Sequence, residues 1–107
     1  MKVLGLIPSR MGSKRLPAKA LLPISGLPLV VHTYRRANLS KLIDKILICT
    51  DSKKIISETK KYKCKSILTS PYHLNGTERI AEAFLKQSNK YDFVIDIQGD
   101  EPLISPY

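Results

Sequence analysis

The sequence has no tryptophan, two cysteines and two methionines, and its 9 acidic residues face 18 lysines and arginines. Each shortage excludes something. No apolar run approaches the roughly 20 residues that span a bilayer, so no membrane role is expected. The opening apolar stretch, Met1 to Pro8, is too short for a secretory signal and lacks a small-residue cleavage site. It reads as the first strand of a cytoplasmic protein. Cys49 and Cys64 are too few for a disulfide framework and do not form C-x-x-C. Both sit in apolar runs, Ile46-Leu47-Ile48-Cys49 and Cys64-Lys65-Ser66-Ile67-Leu68, as buried reduced thiols in strands do. His73 has no Cys or carboxylate partners at metal-ligand spacing, which rules out a zinc site. Nor is there a Ser-His-Asp or Cys-His arrangement for nucleophilic catalysis.

The remaining composition is that of an ordinary globular domain, with 43% hydrophobic and 25% charged residues over 107 positions. A net charge of +9 raises the question of nucleic acid, because basic faces neutralise phosphates. The lysines, however, spread over Lys41, Lys45, Lys53, Lys54, Lys60, Lys61, Lys63 and Lys65. Only Tyr62 interleaves with the densest cluster, so a platform for stacking bases is missing. The pattern points away from nucleic acid and toward a small anionic substrate.

Along the chain, short apolar runs alternate with helical periodicities. Val3 to Pro8 reads as a buried strand, ended by Pro8 and a polar loop. Ala20 to Ile24 adds a brief extended piece. Pro28 suits the first turn of a helix that carries Leu29, Val30, Val31, Tyr34 and Ala37 and ends near Asn38. Asp44 to Thr50 is a second strand. Asp51 or Ser52 caps a helix reaching Tyr62, with Ile55, Ile56 and Thr59 inward. Lys63 to Thr69 is a third strand. Asn75-Gly76-Thr77-Glu78 pairs an N-cap residue with the Glu of a capping box, opening a helix with Ile80, Ala81, Phe84 and Leu85 on one stripe. Phe93 to Ile97 is a fourth strand.

Strands apolar on both faces, alternating with amphipathic helices, specify an α/β fold: three layers around a mostly parallel, Rossmann-like sheet with right-handed crossovers. Ligands of such sheets bind beyond the carboxyl ends of the strands. The loop from Ser9 to Lys19, Asp51, the helix start at Asn75 and the turn from Gln98 to Glu101 are all expected at that edge.

The first of these, Pro8-Ser9-Arg10-Met11-Gly12-Ser13-Lys14-Arg15-Leu16-Pro17-Ala18-Lys19, concentrates cations and small residues directly after a buried strand. Backbone N–H groups and Ser13 in such a loop donate to phosphate oxygens while Arg and Lys neutralise charge. It is neither the Walker A loop nor the G-x-G-x-x-G fingerprint. The second, Gln98-Gly99-Asp100-Glu101-Pro102, puts a carboxylate at a strand end. Mg²⁺ takes one or two carboxylates plus phosphate oxygens in that setting, although Gly-Asp turns are also common without metal.

The run I-P-S-R-x-x-S-x-R-L-P-x-K resembles the signature loop of the CMP-sugar synthetases, especially the 3-deoxy-manno-octulosonate (KDO) cytidylyltransferases. V-I-D-I-Q-G-D-E-P-L-I is similar to that family's Q-G-D-E-P block. His73-Leu74-Asn75-Gly76-Thr77-Glu78-Arg79 resembles its H-x-S-G-T-D/E-R segment, and Ile48-Cys49-Thr50-Asp51 its V-A-T-D. The resemblance implies a nucleotidyltransferase fold of the nucleotide-diphospho-sugar type. It implies CTP as nucleotide, held by Ser9, Arg10, Ser13, Arg15, Lys19, Asn75 and Gly76. Arg15, Lys19 and Asp100 are then the catalytic residues, the first two stabilising charge on the attacked α-phosphate. Asp100 would bind Mg²⁺ and Gln98 the sugar. CMP would pass to the anomeric hydroxyl of KDO, releasing pyrophosphate, with the product feeding lipopolysaccharide assembly.

Some positions depart from that pattern. The family often has alanine at the place of Ser9, glycine at Ala18 and serine at Asn75. Gly12-Ser13-Lys14 is also similar to the loop of the acylneuraminate cytidylyltransferases, so a sialic acid or an amino-modified KDO stays open as the sugar. Asp51 is read first as a helix cap and second as a residue lining the site. Arg79 is expected to reach the ligand or to pair with Glu78 or Glu82, and His32 to be a packed helix residue. Family members are roughly twice this length, consistent with a domain larger than this chain. The expectation is therefore that residues 1–107 are the nucleotide-binding portion of a single domain whose carboxyl-terminal part is absent. The full-length form would be a homodimer. A non-catalytic nucleotide-binding fragment is the alternative, and it would expose an apolar sheet edge and face.

Overall fold

The computed structural model describes residues 2–9, 19–70, 76–87 and 91–97. Four strands, β1 (Val3–Ser9), β4 (Lys45–Thr50), β5 (Ser66–Leu68) and β6 (Phe93–Asp96), form one sheet in the order β5-β4-β1-β6. Every pairing in it is parallel. A separate antiparallel hairpin joins β2 (Pro23–Ile24) to β3 (Leu27–Pro28). Its turn residues Ser25 and Gly26 have φ of 51° and 84°, and tight two-residue hairpins need such positive values, which glycine adopts without strain. A 3₁₀ helix, Lys19–Leu21, precedes it.

Three helices cover the sheet: α1 (Leu29–Ala37), α2 (Lys53–Lys60) and α3 (Gly76–Leu85). Side chains alternate across a strand, and the core divides accordingly. Ile7, Ile46 and Ile48 face α1 and α2, packing with Val30, Val31, Ala37, Ile55 and Cys64. Leu4, Leu6, Leu47 and Cys49 face the other way, onto Ile80 and Ala83 of α3. This is the three-layer arrangement anticipated from the alternating apolar runs. The central strands β1 and β4 are buried on both faces, as parallel strands flanked by helices must be.

Several details differ from the sequence reading. The third strand is three residues long, Ser66–Leu68, because the chain leaving α2 first turns through Lys63 at φ 64°. Cys64 is buried but precedes that strand instead of lying in it. On α3 the inward stripe is Ile80, Ala83 and Phe84, while Ala81 and Leu85 are exposed. Among the described residues β6 is an outer strand of the sheet, with Phe93, Val94 and Ile95 exposed.

At the amino-terminal edge, carboxylates fix the entry into β1. The Val3 N–H donates to Asp44 Oδ2 at 2.7 Å and the Lys2 N–H to Asp92 Oδ2 at 2.8 Å. The opposite edge is left for function.

Candidate functional site

Because the four strands run parallel, their carboxyl ends share one edge, and Ser9, Asp51 and Gly76 stand there. β1 ends in Ser9, β4 in Thr50, β5 leads into Thr69 and Ser70, and β6 ends at Asp96. α2 and α3 both start at this edge, which turns the positive ends of two helix dipoles toward it. Ser9 stands beside Thr50 in the β1–β4 register. The Thr50 Oγ1 accepts from the Ser52 N–H at 3.1 Å, and Ser52 Oγ accepts from Ile55 N–H at 3.2 Å. Ser9 is 7% exposed, and its hydroxyl has no hydrogen-bond partner.

Of the residues assigned to nucleotide, sugar and metal, the described part of the molecule holds three. Ser9 closes β1, Lys19 opens the 3₁₀ helix and Gly76 opens α3. Arg10, Ser13, Arg15, Asn75, Gln98 and Asp100 lie outside the described residues, as does His73. Among the described residues no group of three or more His, Cys, Asp or Glu could hold a metal ion. Partial burial raises the Asp96 carboxyl above its ordinary value.

One assignment changes. Ser52, not Asp51, caps α2. Asp51 instead lies 3.9 Å from Arg79, whose side chain is 5% exposed. Arg79 reaches from α3 to the strand ends. Its Nη1 donates to Thr69 Oγ1 at 2.6 Å and to the Ser70 carbonyl at 3.2 Å. Glu82 reaches the same segment: its Oε1 accepts from the Ser70 N–H at 2.9 Å and its Oε2 meets Lys86 Nζ at 2.6 Å. Lys86 also donates to the Leu68 carbonyl at 3.1 Å. A polar clamp thus binds α3 to the ends of β4 and β5. Thr50 and Thr69 were passed over in the sequence, where a hydroxyl ending an apolar run looks like any strand terminus.

His32 behaves as a packed helix residue, its Nε2 hydrogen-bonded to the Ile24 carbonyl. Burial pushes the Cys49 thiol up to about 12 against the nearby positive charge of Arg79, and it raises the Cys64 thiol too. Both are free and buried, inert packing residues as the sequence implied. No helix among the described residues is long and apolar enough to cross a membrane.

The chain is 46% identical over 99% of its length to an 8-amino-3,8-dideoxy-manno-octulosonate cytidylyltransferase of Shewanella frigidimarina, covering 44% of that protein. It is 45% identical over 99% of its length to a 3-deoxy-manno-octulosonate cytidylyltransferase of Chlorobium phaeobacteroides, covering 42% of it. In structure it is similar to a CMP:2-keto-3-deoxy-manno-octonic acid synthetase complexed with CTP. The TM-score is 0.94 at 37% identity, over 99% of this chain and 43% of that one. The chain therefore spans less than half the length of the curated relatives it matches. A family model described as cytidylyltransferase matches residues 4–107. Together with the parallel sheet, that match makes this chain a member of the cytidylyltransferase family.

Proposed function

We propose that the protein containing this chain transfers CMP from CTP to the anomeric hydroxyl of KDO, releasing pyrophosphate. CMP-KDO so formed serves lipopolysaccharide biosynthesis in the cytoplasm. The observation that carries this reading is the shared edge. The strand leading into the cationic loop, the helix start at Gly76 and the strand leading into Gln98-Gly99-Asp100 all open on the same side of the sheet. A crevice at that edge is where open parallel sheets bind ligands. The similarity to a CTP-complexed synthetase over 99% of this chain supports the same assignment.

In this reading Arg10, Ser13, Arg15 and Lys19 hold the triphosphate, and Arg15 and Lys19 offset the charge that grows on the α-phosphate as the sugar hydroxyl attacks. Asn75 and the Gly76 backbone select cytosine, and Gln98 contacts the sugar. Asp100 is the carboxylate for Mg²⁺: one carboxylate completed by phosphate oxygens is a donor set this ion accepts. When bound, it supplies charge neutralisation to the leaving pyrophosphate. The residues 1–107 form the nucleotide-binding portion of a single domain, whose full-length form is a homodimer.

A second sugar is favoured by one observation: the relatives at 46% and 45% identity carry the 8-amino sugar and KDO in their names respectively. The test uses purified full-length protein with CTP and Mg²⁺, measuring pyrophosphate release with KDO, its 8-amino analogue and an N-acylneuraminate. Release with KDO, lost in Lys19→Ala and Asp100→Ala by at least about 100-fold, is the expected result. Release retained in both variants rules out the residue roles. Release with the neuraminate alone transfers the protein to the acylneuraminate branch. CTP binding without release under any of the three sugars leaves a non-catalytic nucleotide-binding protein.

A further inference from the structure

Leu39 and Leu42 are 77% and 79% exposed, on the short turn that joins α1 to β4. Single exposed leucines are ordinary on a protein surface, but these two are held out by the fold. The Leu39 and Ser40 N–H groups donate to the Arg36 and Ala37 carbonyls at 3.2 and 3.0 Å, and the Leu42 N–H donates to Ser40 Oγ at 3.3 Å. The next residue, Ile43, packs against the core. Asp44 then pins the turn to β1: its N–H donates to the Val3 carbonyl at 2.9 Å, and its Oδ2 accepts from the Val3 N–H at 2.7 Å. The turn is fixed at both ends, with one apolar side chain in the core and two in water.

The surroundings of these leucines are cationic. α1 and α2 both run back from the carboxyl edge of the sheet, so their last turns stand at the amino-terminal edge, opposite the proposed nucleotide site. Exposed Arg35, Lys41, Lys60, Lys61, Lys63 and Lys65 gather there. The Lys65 N–H donates to the Tyr34 hydroxyl at 3.2 Å. Burial raises the Cys64 thiol while the charge of nearby Arg35 works against it. Both contacts join the turn after α2 to the end of α1, and so to the leucines. Among the described residues the carboxylates at this edge are Asp44, Asp92 and Glu58. Asp44 and Asp92 accept backbone N–H groups, and Glu58 pairs with Lys61. Much of the positive charge therefore stands away from the edge where a small anionic substrate would bind.

The chemistry of the patch selects its partner. Lysine is depleted where proteins meet proteins. Stacking of bases needs exposed aromatic faces, and Tyr34 and Tyr62 are both half-buried. Leucines projecting among lysines suit a bilayer surface, where apolar side chains enter the boundary of headgroups and acyl chains while cations meet anionic headgroups. We propose that this edge docks reversibly on an anionic lipid bilayer, Leu39 and Leu42 entering the headgroup region and Arg35 and the lysines meeting lipid phosphates. The attachment is peripheral, needs no spanning helix and leaves the carboxyl edge of the sheet facing solvent. It does not rest on the CTP reading.

The experiment measures binding of the full-length protein, without CTP, to sedimented vesicles of phosphatidylcholine alone and of equal parts phosphatidylcholine and phosphatidylglycerol. Wild type should bind the anionic vesicles and not the neutral ones, and added salt should weaken binding by screening. Leu39→Ser with Leu42→Ser should lower the partition coefficient about ten-fold or more, the scale of two partly buried leucines. Lys41→Glu with Lys65→Glu should lower it at least as much. All four side chains are exposed, so melting temperature should stay close to wild type, and pyrophosphate release in solution should be unchanged. No binding to anionic vesicles overturns the proposal, as does binding that either pair of substitutions leaves unchanged. Preference for duplex DNA or RNA over anionic vesicles at equal salt overturns it in favour of nucleic acid. Leu39→Cys and Leu42→Cys should each react with maleimide in the folded full-length protein. If both are shielded until denaturant is added, another part of the protein covers this turn and the proposal fails.

Discussion

Arg79 Nη1 donates to Thr69 Oγ1 at 2.6 Å while lying 3.9 Å from Asp51 Oδ1. One side chain from α3 therefore closes the ends of two strands, since Thr69 follows β5 and Asp51 follows β4. The guanidinium is only 5% exposed and the Asp51 carboxylate 25%. Removing a buried cation's partners, or the cation itself, leaves desolvated polar groups unpaired, which is costlier than the pair is worth. Arg79→Met should lower stability by about 2–4 kcal/mol in urea denaturation. Lysine at this position keeps the charge but loses the planar fork that reaches Thr69 and Ser70 together, so Arg79→Lys should recover only part of the loss. Asp51→Asn should cost about 1 kcal/mol, because its partner keeps two hydrogen bonds. A loss below about 0.5 kcal/mol for Arg79→Met, the range of ordinary surface changes, would show that the clamp is not energetically important.

Cys49 gives a prediction in pH. Its thiol is pushed from 9.0 up to about 12, mainly by burial. In the unfolded chain the thiol is solvated and ionises near the ordinary value; in the folded chain it resists ionisation. The folded pKa is the higher one, so the contribution to stability is complete below about pH 9 and is lost as pH rises toward 12. Measured against Cys49→Ala, wild-type stability should fall more steeply over that window, while the two curves run parallel between pH 6 and 8. Native protein at pH 8 should also resist alkylation by iodoacetamide at Cys49 until denaturant is added, since the thiolate is the nucleophile. Rapid labelling of the folded protein would contradict the buried placement.

How far the fold was legible in the sequence depends on the range of the interactions that set each feature. The strands β1 and β4 were readable because burial on both faces produces unbroken apolar runs, Leu4 to Ile7 and Ile46 to Cys49. Their parallel pairing followed from the intervening helices, and with it the gathering of Ser9, Asp51 and Gly76 at one edge. The rotational setting of α3 was not readable. An apolar count favours a stripe through Ala81 and Leu85, but the helix is turned so that charged Arg79 is buried with Ile80 and Ala83. The reason is the pair of acceptors waiting at Thr69 and Asp51, which no local period encodes. The choice of cap on α2 has the same origin. Asp51 and Ser52 are equally good caps in isolation, and the distant Arg79 engages Asp51, leaving Ser52 for the Ile55 N–H. Of the site residues, the motifs assigned Arg10, Ser13, Arg15, Asn75, Gln98 and Asp100 by likeness alone, and their geometry lies outside the described residues. The buried, unpartnered hydroxyl of Ser9 could only come from coordinates, because a serine ending a strand looks the same in sequence whether or not its partner exists.

Gly5 tests how closely the two inner layers approach. A Cβ added there would stand 3.0 Å from Ile97 Cδ1 and 3.1 Å from Ile43 Cγ2. β1 and β6 are paired at this position, Gly5 opposite Ile95, and Ile97 closes the gap by bonding its N–H to the Leu6 carbonyl at 2.9 Å. Gly5→Ala should therefore be destabilising by about 1–3 kcal/mol, as overpacking of a fitted core is, even though alanine ordinarily favours folding over glycine. The Ile97 contact is the end of a flexible side chain, so trimming it offers relief. In a double-mutant cycle, Ile97→Val should recover about 0.5 kcal/mol or more of the Gly5→Ala loss, the coupling expected of residues in direct contact. The Ile43 contact lies closer to the backbone and should leave the remainder. If Gly5→Ala proves neutral, or if the two substitutions simply add, β1 does not approach Ile97 and Ile43 as closely as these distances require.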